Sequence, residues 1–368
     1  SVFLPQLSLS ASKQTSNQSE PGGKAKDNSE SYSYGLSAKQ LVFDGFSASA
    51  QADSARSALR AAQFSAAITE ANVRYTVRAA FVNLLKAQEQ LVLSKSIRDR
   101  RAQNLEMIRL RYNSGSEHRG SLLIAEADLA QANAEVAQAA RAIELARIYL
   151  TKELGQPELA IRDVTENIAI LPAPKPTPNL EELASSNPTL RQLGAQIDVA
   201  RFGLNAAWAS RYPAANLNYS TGRGGPDWPA DPDTEVSNWS LGLGISYTLW
   251  DWDKTGASVD KANSQLKQAQ FSALDGHGLV VLNLAQAWND LQNAQDTLLV
   301  SQKFLEANEE RARIASAQYT SGLIDFNAWS IIEDNLVSTR KQMLNASSSL
   351  WLAEASWIKA QGGGLNNE

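Results

Sequence analysis

The sequence repeats itself at one constant offset, and this duplication constrains the fold more than any other feature. The matched positions keep residue type and spacing: Asp44 with Asp251, Gln63 to Ala66 with Gln270 to Ala273, and Tyr112-x-Ser114-Gly115 with Tyr319-x-Ser321-Gly322. The repeating unit is far longer than the roughly 20 to 50 residues of a solenoid repeat. We therefore interpret the chain as two copies of one large module.

The duplication divides the chain into three parts. The first repeat covers residues 1–154, a connecting segment covers 155–186, and the second repeat covers 187–368. The connecting segment has prolines at alternate positions, which favours an extended strap. A further helix, predicted at about residues 180–212, precedes the second pair of strands and has no counterpart in the first repeat. By the logic of the repeat, we expect an N-terminal helix to be missing from this sequence.

Each repeat contains a pair of strands in which apolar residues alternate with small polar ones. The two hairpins are predicted at about residues 3–44 and 214–250, with long polar turns. This alternation is typical of a strand in an outer-membrane β-barrel, but a soluble sheet with one face on a core shows it too. The apolar residues predicted to face lipid are Tyr32, Tyr34, Leu36, Trp239, Leu241, Leu243, Ile245 and Tyr247.

Four strands are too few to close a barrel, because about eight are needed. Open strand edges are not tolerated in the hydrocarbon of a membrane, where their backbone groups would find no hydrogen-bond partner. If the strands cross a membrane, several copies of the chain must therefore share one barrel.

Long runs without proline, rich in Ala, Gln, Leu, Arg and Glu, fill the rest of each repeat. They predict long helices at about 46–112 and 254–319, and return helices at about 121–153 and 327–361. At 1.5 Å per residue each long helix would measure roughly 100 Å, which suits a rod or one stave of a tube better than a compact domain.

Composition excludes several function classes. The chain has no cysteine and two histidines, which removes disulfides, thiolate nucleophiles and cysteine-ligated zinc. We predict no catalytic, cofactor or metal site, and hence no enzyme. The net charge of −5 argues against a nucleic-acid partner. No run of 18 apolar residues predicts a transmembrane helix.

Five motifs, in this order, carry a family resemblance that covers nearly the whole chain. They are Leu4-Pro5, Leu41-Val42-Phe43-Asp44-Gly45, Arg111-Tyr112-Asn113-Ser114-Gly115, Asn187-Pro188-x-Leu190 and Tyr319-Thr320-Ser321-Gly322-Leu323-Ile324-Asp325-Phe326. With the duplication, they resemble the TolC family of outer-membrane efflux channels.

The resemblance implies a mainly α-helical fold with a small antiparallel β part. Four strands per chain would contribute to a 12-stranded barrel in a homotrimer, in contact with outer-membrane lipid, and the helical hairpins would be staves of a periplasmic α-barrel. The implied function is the outer-membrane channel of a tripartite efflux or secretion system. Its partners would be a periplasmic adaptor (membrane fusion) protein and an inner-membrane pump of the RND, ABC or another type.

The resemblance also assigns gating and adaptor docking to the periplasmic tips of the helical hairpins. The tip residues are Tyr112, Ser114, Gly115, Tyr319, Ser321, Gly322 and Asp325. A threefold ring of Asp325 would bias passage toward cations. The simpler interpretation, which we favour, is that Asp325 caps the return helix.

One alternative remains open at this point. A soluble periplasmic coiled-coil scaffold or adaptor would show the same helices, but its apolar strand faces would have to pack on a core within the chain.

Overall fold

The protein is described here by a computed structural model that covers residues 4–16, 29–156, 163–165, 177–226 and 233–363. Most of the predicted proline-rich strap lies outside these residues. Within them the strands are β1 (Gln6–Ser16), β2 (Ser29–Phe43), β3 (Ala214–Gly225) and β4 (Val236–Ser246). The helices are α1 (Ser47–Asn113), α2 (Arg119–Glu153), α3 (Leu180–Ser186), α4 (Pro188–Ala209), α5 (Lys254–Thr320) and α6 (Phe326–Ala360).

The two repeats have helices of matching length. α1 and α5 have 67 residues each, and α2 and α6 have 35 each. Both long runs lack proline and are rich in good helix formers, so neither is interrupted. Among the described helices, none combines the length and apolar character that crossing a membrane requires.

The helix predicted to run to about residue 212 is divided in two. α3 ends at Ser186, and Asn187 has an extended backbone with ψ of 131°. The ring of Pro188 disfavours the helical conformation of the residue before it, and Pro188 can itself open a new helix because its missing N–H would be unpaired there. The prediction of one continuous helix was therefore wrong at this proline.

The chain forms two compact units, and α1 and α5 contribute residues to both. The first unit comprises Ser1–Gln63 and Arg191–Asp275, and the second comprises Phe64–Leu190 and Gly276–Glu368. The two units are defined by contacts between residues, whereas the two repeats were defined by sequence similarity. The units therefore do not test the predicted repeat boundaries at residues 154 and 187, which stay a prediction.

In the first unit the four strands form one antiparallel sheet in the order β1-β2-β3-β4. Its register brings the apolar positions of neighbouring strands into common rows. One row joins Leu9 to Leu36, then to Thr221 and Trp239. Because directly paired residues point to the same side of a sheet, most of the large apolar residues of the four strands share one face.

The neighbouring row of the register is small and polar. It joins Ser10 to Gly35, then to Gly222 and Asn238. The opposite face is therefore lined by Ser, Gly and Asn. A Cβ atom on Gly35 would lie 2.8 Å from the carbonyl oxygen of Thr221, so the approach of β2 to β3 at this position requires glycine.

Aspartates at equivalent positions begin the long helices after each hairpin. The Asp44 carboxylate accepts from the backbone N–H of Ala48 at 2.8 Å, and that of Asp251 accepts from Thr255 at 2.9 Å. Each satisfies a backbone donor that the first helical turn leaves unpaired. The backbone reverses between β2 and α1 at Gly45, where φ is 67°.

The second unit contains two helical hairpins held by buried apolar side chains. In the first hairpin Ala80 and Leu84 of α1 pack with Ile143 and Leu150 of α2. In the second hairpin α5 packs on α6 through a separate cluster: Trp288, Leu291, Leu298, Ala346 and Leu350. Leucine recurs at intervals of seven along α5, as in coiled-coil packing.

Candidate functional site

The turns that close the two helical hairpins are built in the same way. Gly115 and Gly322 have φ of 74° and 78°, a conformation that glycine adopts without strain. After α1 the N–H of Ser116 donates to the carbonyl of Arg111 at 2.8 Å, and after α5 the N–H of Leu323 donates to that of Gln318 at 2.8 Å. These bonds satisfy the last free carbonyls of each helix in a Schellman motif.

The return helices begin at equivalent positions with different caps. His118 caps α2, where its Nδ1 accepts from the N–H of Ser121 at 3.2 Å. Asp325 caps α6, where its carboxylate accepts from the N–H of Ala328 at 2.7 Å. The capping interpretation of Asp325 thus has a direct structural basis, and an acidic ring is not needed to explain this residue.

One hydrogen bond joins the turn of the first hairpin to that of the second. The Tyr319 hydroxyl donates to the Glu117 carboxylate at 2.6 Å. The side chain of Glu117 is only 9% exposed, and its other oxygen accepts from the Ser121 hydroxyl at 2.9 Å. Charged hydrogen bonds of this kind are stronger than neutral ones. We call the Tyr319–Glu117 hydrogen bond the tip latch.

Arg111 reinforces the tip latch from the end of α1. Its guanidinium lies 4.6 Å from the centre of the Tyr319 ring, and its Nη1 donates to the Tyr319 carbonyl at 2.9 Å. A cation over an aromatic face is attracted by the ring quadrupole. Tyr319 is therefore held by its ring, its backbone and its hydroxyl.

The other face of Tyr319 stacks on Trp329 of α6. The ring centres are 4.7 Å apart with 9° between the planes, and Phe326 meets Tyr319 edge-on at 6.4 Å. Leu105 and Ile108 of α1 belong to the same buried cluster. Residues from both hairpins thus share one small core at the tips, which orders the tip latch.

The environment shifts the titration of both latch residues. Burial by itself would raise the pKa of the Glu117 carboxyl, but the hydrogen bonds from Tyr319 and Ser121 outweigh burial and leave this pKa lower than usual. The pKa of the Tyr319 hydroxyl is raised, first by burial and then by its bond to the negative Glu117. At neutral pH the latch therefore consists of a carboxylate and a protonated phenol.

A buried ion pair lies further from the turns. Glu333 of α6 is 1% exposed, and its two oxygens accept from Nε and Nη2 of Arg100 at 2.5 and 2.7 Å. The hydrogen bond that Arg100 donates to Glu333 is the main cause that raises the pKa of Arg100. The neighbouring Arg101 pairs with Asp334, and Lys341 of α6 pairs with Glu135 of α2 at 2.8 Å. These ion pairs fix the register of α6 against the first hairpin.

The structure brings only one predicted tip residue, Tyr319, into the latch. Tyr112 is 37% exposed. The hydroxyls of Ser114 and Ser321 donate to carbonyls of their own helices, at 2.9 and 3.1 Å. The roles of these residues in gating or docking stay predictions, as do those of Gly115 and Gly322.

Sequence reasoning gave no role to Glu117, Arg111 or Trp329, although Arg111 belongs to one of the motifs that carry the family resemblance. One signal could have found Glu117, because the equivalent position of the second repeat is the apolar Ile324. A carboxylate in one copy where the other copy has an isoleucine marks a difference between otherwise matching turns.

The apolar face of the sheet is exposed along its length. Trp239 is 73% exposed, and the other predicted lipid-facing residues of the second hairpin lie open with it: Leu241, Leu243, Ile245 and Tyr247. In the first hairpin Tyr34 and Leu36 are also exposed. Their contact with lipid stays a prediction.

Tyr32 differs from its neighbours on the apolar face, because it is 4% exposed. Its ring lies over Gly225 of β3, which has no side chain to displace it, and stacks beside Tyr34 at 6.5 Å. Tyr32 is therefore covered within one chain, and its contact with lipid stays a prediction. In the described part of the chain, no three His, Asp or Glu side chains are grouped so that they could hold a metal ion.

Comparison with known proteins agrees with this architecture. A family model described as outer membrane efflux protein matches residues 1–156 and 179–363. The cobalt-zinc-cadmium resistance protein CzcC of Cupriavidus metallidurans is 24% identical over 281 residues, which are 76% of this chain and 65% of that protein. The match thus spans slightly less than two thirds of that relative's length.

Solved structures share the fold at low sequence identity. CusC, described in terms of folding and transmembrane channel formation, has a TM-score of 0.85 at 17% identity, over 99% of this chain and 84% of its own. The open state of the outer membrane channel MtrE of Neisseria gonorrhoeae has a TM-score of 0.84 at 21% identity, over 100% and 82%. The predicted fold class, a duplicated, mainly helical chain with a four-stranded sheet, is confirmed.

Proposed function

Because this chain belongs to the outer membrane efflux protein family, we propose that three copies assemble into a passive exit channel of a tripartite efflux or secretion system. The predicted family and outer-membrane location are confirmed by this membership. The channel activity, the number of copies, the partners and the cargo are proposals, and each has its own supporting observation.

The sheet supports the sharing of one barrel. β1 and β4 are its edges, and each is paired on one side within the chain. Unpaired edges in lipid are costly, whereas a barrel made by several chains pairs every edge. Three sheets of four strands give 12 strands, an even number in the range that outer-membrane barrels use.

The exposed apolar face is the single observation that carries the proposal. In a soluble scaffold Trp239, Leu241 and Leu243 would pack on a core of the same chain, yet all three lie open. A contiguous apolar face of this size on a sheet requires a partner. Outer-membrane lipid meets the apolar face, and the opposite face of Ser, Gly and Asn suits a water-filled bore.

The tip latch supports a gate at the end of the helical hairpins. It joins the two hairpins of one chain through Tyr319 and Glu117, so breaking it weakens the contact that holds the tips together. The exposed turn residues around it, such as Tyr112 and Leu323, are the proposed contact for a periplasmic adaptor that leads to an inner-membrane pump. The name of CzcC makes cobalt, zinc and cadmium ions the first cargo to test.

The test is assembly and conductance of the full-length protein in detergent. We expect a trimer that heat converts to monomer, and discrete single-channel currents in a planar bilayer. A protein that stays monomeric in buffer without detergent and conducts no current would overturn the proposal in favour of the soluble scaffold.

Two lysine substitutions on adjacent residues of β4 provide a matched pair. Leu241→Lys puts a charge on the apolar face, which costs about 2–4 kcal/mol near the bilayer midplane. Ser240→Lys puts the same charge on the polar face. We expect Leu241→Lys to reduce the yield of assembled trimer in outer membranes and Ser240→Lys to be tolerated. If Ser240→Lys reduced the yield and Leu241→Lys did not, the assignment of the apolar face to lipid and of the polar face to the bore would be wrong.

A further inference from the structure

The charged residues of the sheet are distributed unequally between its two faces. The charged residues within the four described strands are Lys13, Glu30, Lys39 and Arg223. Lys13 is paired with Tyr32, and Arg223 with Tyr34, in the register of the sheet. Since Tyr32 and Tyr34 belong to the apolar face, Lys13 and Arg223 belong to it too.

Both cations of the apolar face are neutralised by carboxylates. Lys13 forms an ion pair with Glu30 at 2.9 Å, and Arg223 forms one with Glu235 at 3.4 Å. All four residues lie near the loop end of their strands, so the apolar face carries little net charge along its length.

Lys39 is the one charged residue of the described strands that lies on the polar face. It pairs with Gln6 of β1 and with Asn218 of β3, and Asn218 pairs with Gly242 of β4. The row across the sheet at the level of Lys39 is therefore otherwise neutral. No carboxylate of the described strand residues shares this face, and small Ser and Gly side chains leave the ammonium group exposed.

We propose that Lys39 is a specificity-determining residue of the channel: three copies form a positive ring in the barrel that favours anions over cations. The inference rests on the proposed trimeric channel, and it concerns the passive passage of small ions, not the cargo that an inner-membrane pump drives through the channel. Rings of charged side chains set the charge preference of many pores, and a bore with low-dielectric walls focuses their field. Lys39 lies four residues from the end of β2, roughly 13 Å at 3.3 Å per residue, on the side that leads into α1.

The experiment measures reversal potentials of the full-length channel in a planar bilayer with a KCl gradient. Lys39→Gln removes the charge, Lys39→Glu reverses it, and Lys13→Gln is the matched control on the apolar face. A change of about one kT in the potential of the bore changes the local concentration of each ion by a factor of about 2.7. We expect the ratio of K⁺ to Cl⁻ permeability to rise at least about threefold in Lys39→Gln, further in Lys39→Glu, and not at all in Lys13→Gln.

Salt provides an internal check, because the Debye length falls from about 10 Å at 0.1 M to about 3 Å at 1 M. The differences in permeability ratio between the Lys39 variants and the wild type should therefore shrink in concentrated KCl. A conducting Lys39→Glu channel with the permeability ratio of the wild type would overturn the role of Lys39. A wild-type protein that forms no channel would instead overturn the proposed function, so the two failures are distinguishable.

A second design covers the case in which Lys39→Glu does not assemble. None of the 368 residues is cysteine, so Lys39→Cys introduces a thiol on the polar face that can be modified in the assembled channel, with the unsubstituted channel treated in the same way as the control. A cationic thiosulfonate reagent should restore the anion preference, and an anionic one should raise the K⁺ to Cl⁻ ratio. Equal effects of the two reagents would contradict the proposal.

Discussion

Tyr319→Phe is the most direct test of the tip latch, because it removes one oxygen atom and leaves the ring in place. The stack on Trp329 and the contact with Arg111 depend on the ring and the backbone, so both survive. Only the 2.6 Å hydrogen bond to Glu117 is lost.

The magnitude follows from the charge and the remaining partners of Glu117. A hydrogen bond to a charged group contributes about 1.5–3 kcal/mol, and more if its loss leaves a buried charge unsatisfied. Glu117 keeps donors in the Ser121 hydroxyl at 2.9 Å and the backbone N–H of His118 at 3.2 Å. We therefore expect Tyr319→Phe to cost about 2 kcal/mol per chain. Since about 1.4 kcal/mol changes an equilibrium constant tenfold, the equilibrium between joined and separated tips should shift about 30-fold toward separated tips.

The assay is the open fraction of single channels in a planar bilayer, compared at one voltage and salt concentration. Tyr112→Phe is the matched control, since it removes the same atom from the equivalent and more exposed position of the first repeat. We expect Tyr319→Phe to be open more often and Tyr112→Phe to match the wild type. An unchanged open fraction in Tyr319→Phe would refute the idea that this bond holds the tips together.

The buried ion pair should matter for stability: removing one partner of such a pair costs about 3–5 kcal/mol, so Glu333→Gln should unfold in clearly less denaturant, and a wild-type midpoint would contradict this. The lowered pKa of Glu117 means that its contribution to the latch is present above the usual carboxyl range and is lost as pH falls through the lowered pKa. The raised pKa of Tyr319 means that its contribution is present below about pH 10 and is lost as the phenol ionises above that. The open fraction should therefore stay constant from about pH 5 to 9 and rise outside this window. Just before α1, Gly45→Ala should destabilise the protein more than Gly115→Ala does. Both glycines have positive φ, so an alanine is strained at either position. A Cβ on Gly45 would also lie 2.6 Å from the Ala209 carbonyl oxygen, whereas none of the described atoms would lie within 4 Å of a Cβ on Gly115. Equal unfolding midpoints for the two variants would contradict this packing argument.

Much of the candidate site could be located from the sequence, but its contacts could not. The repeated Tyr-x-Ser-Gly pattern marks both turns, because a glycine after a long helical run ends the helix locally. The latch joins residues 202 positions apart. Which side chain meets Glu117 depends on how each helix is rotated about its axis, and no local pattern records that rotation.

The same distinction holds for the fold. The duplication, the two long hairpins and the two-faced strands can be read from the amino-acid sequence, because periods of 2 and 3.6 residues arise from the geometry of a single strand or helix. Three other features are visible only in the folded chain: Arg100 meets Glu333, 233 positions away, Tyr32 is covered beside Gly225, and Lys39 shares its face with no carboxylate of the described strands. These depend on register and packing between segments, where a shift of one residue changes every partner.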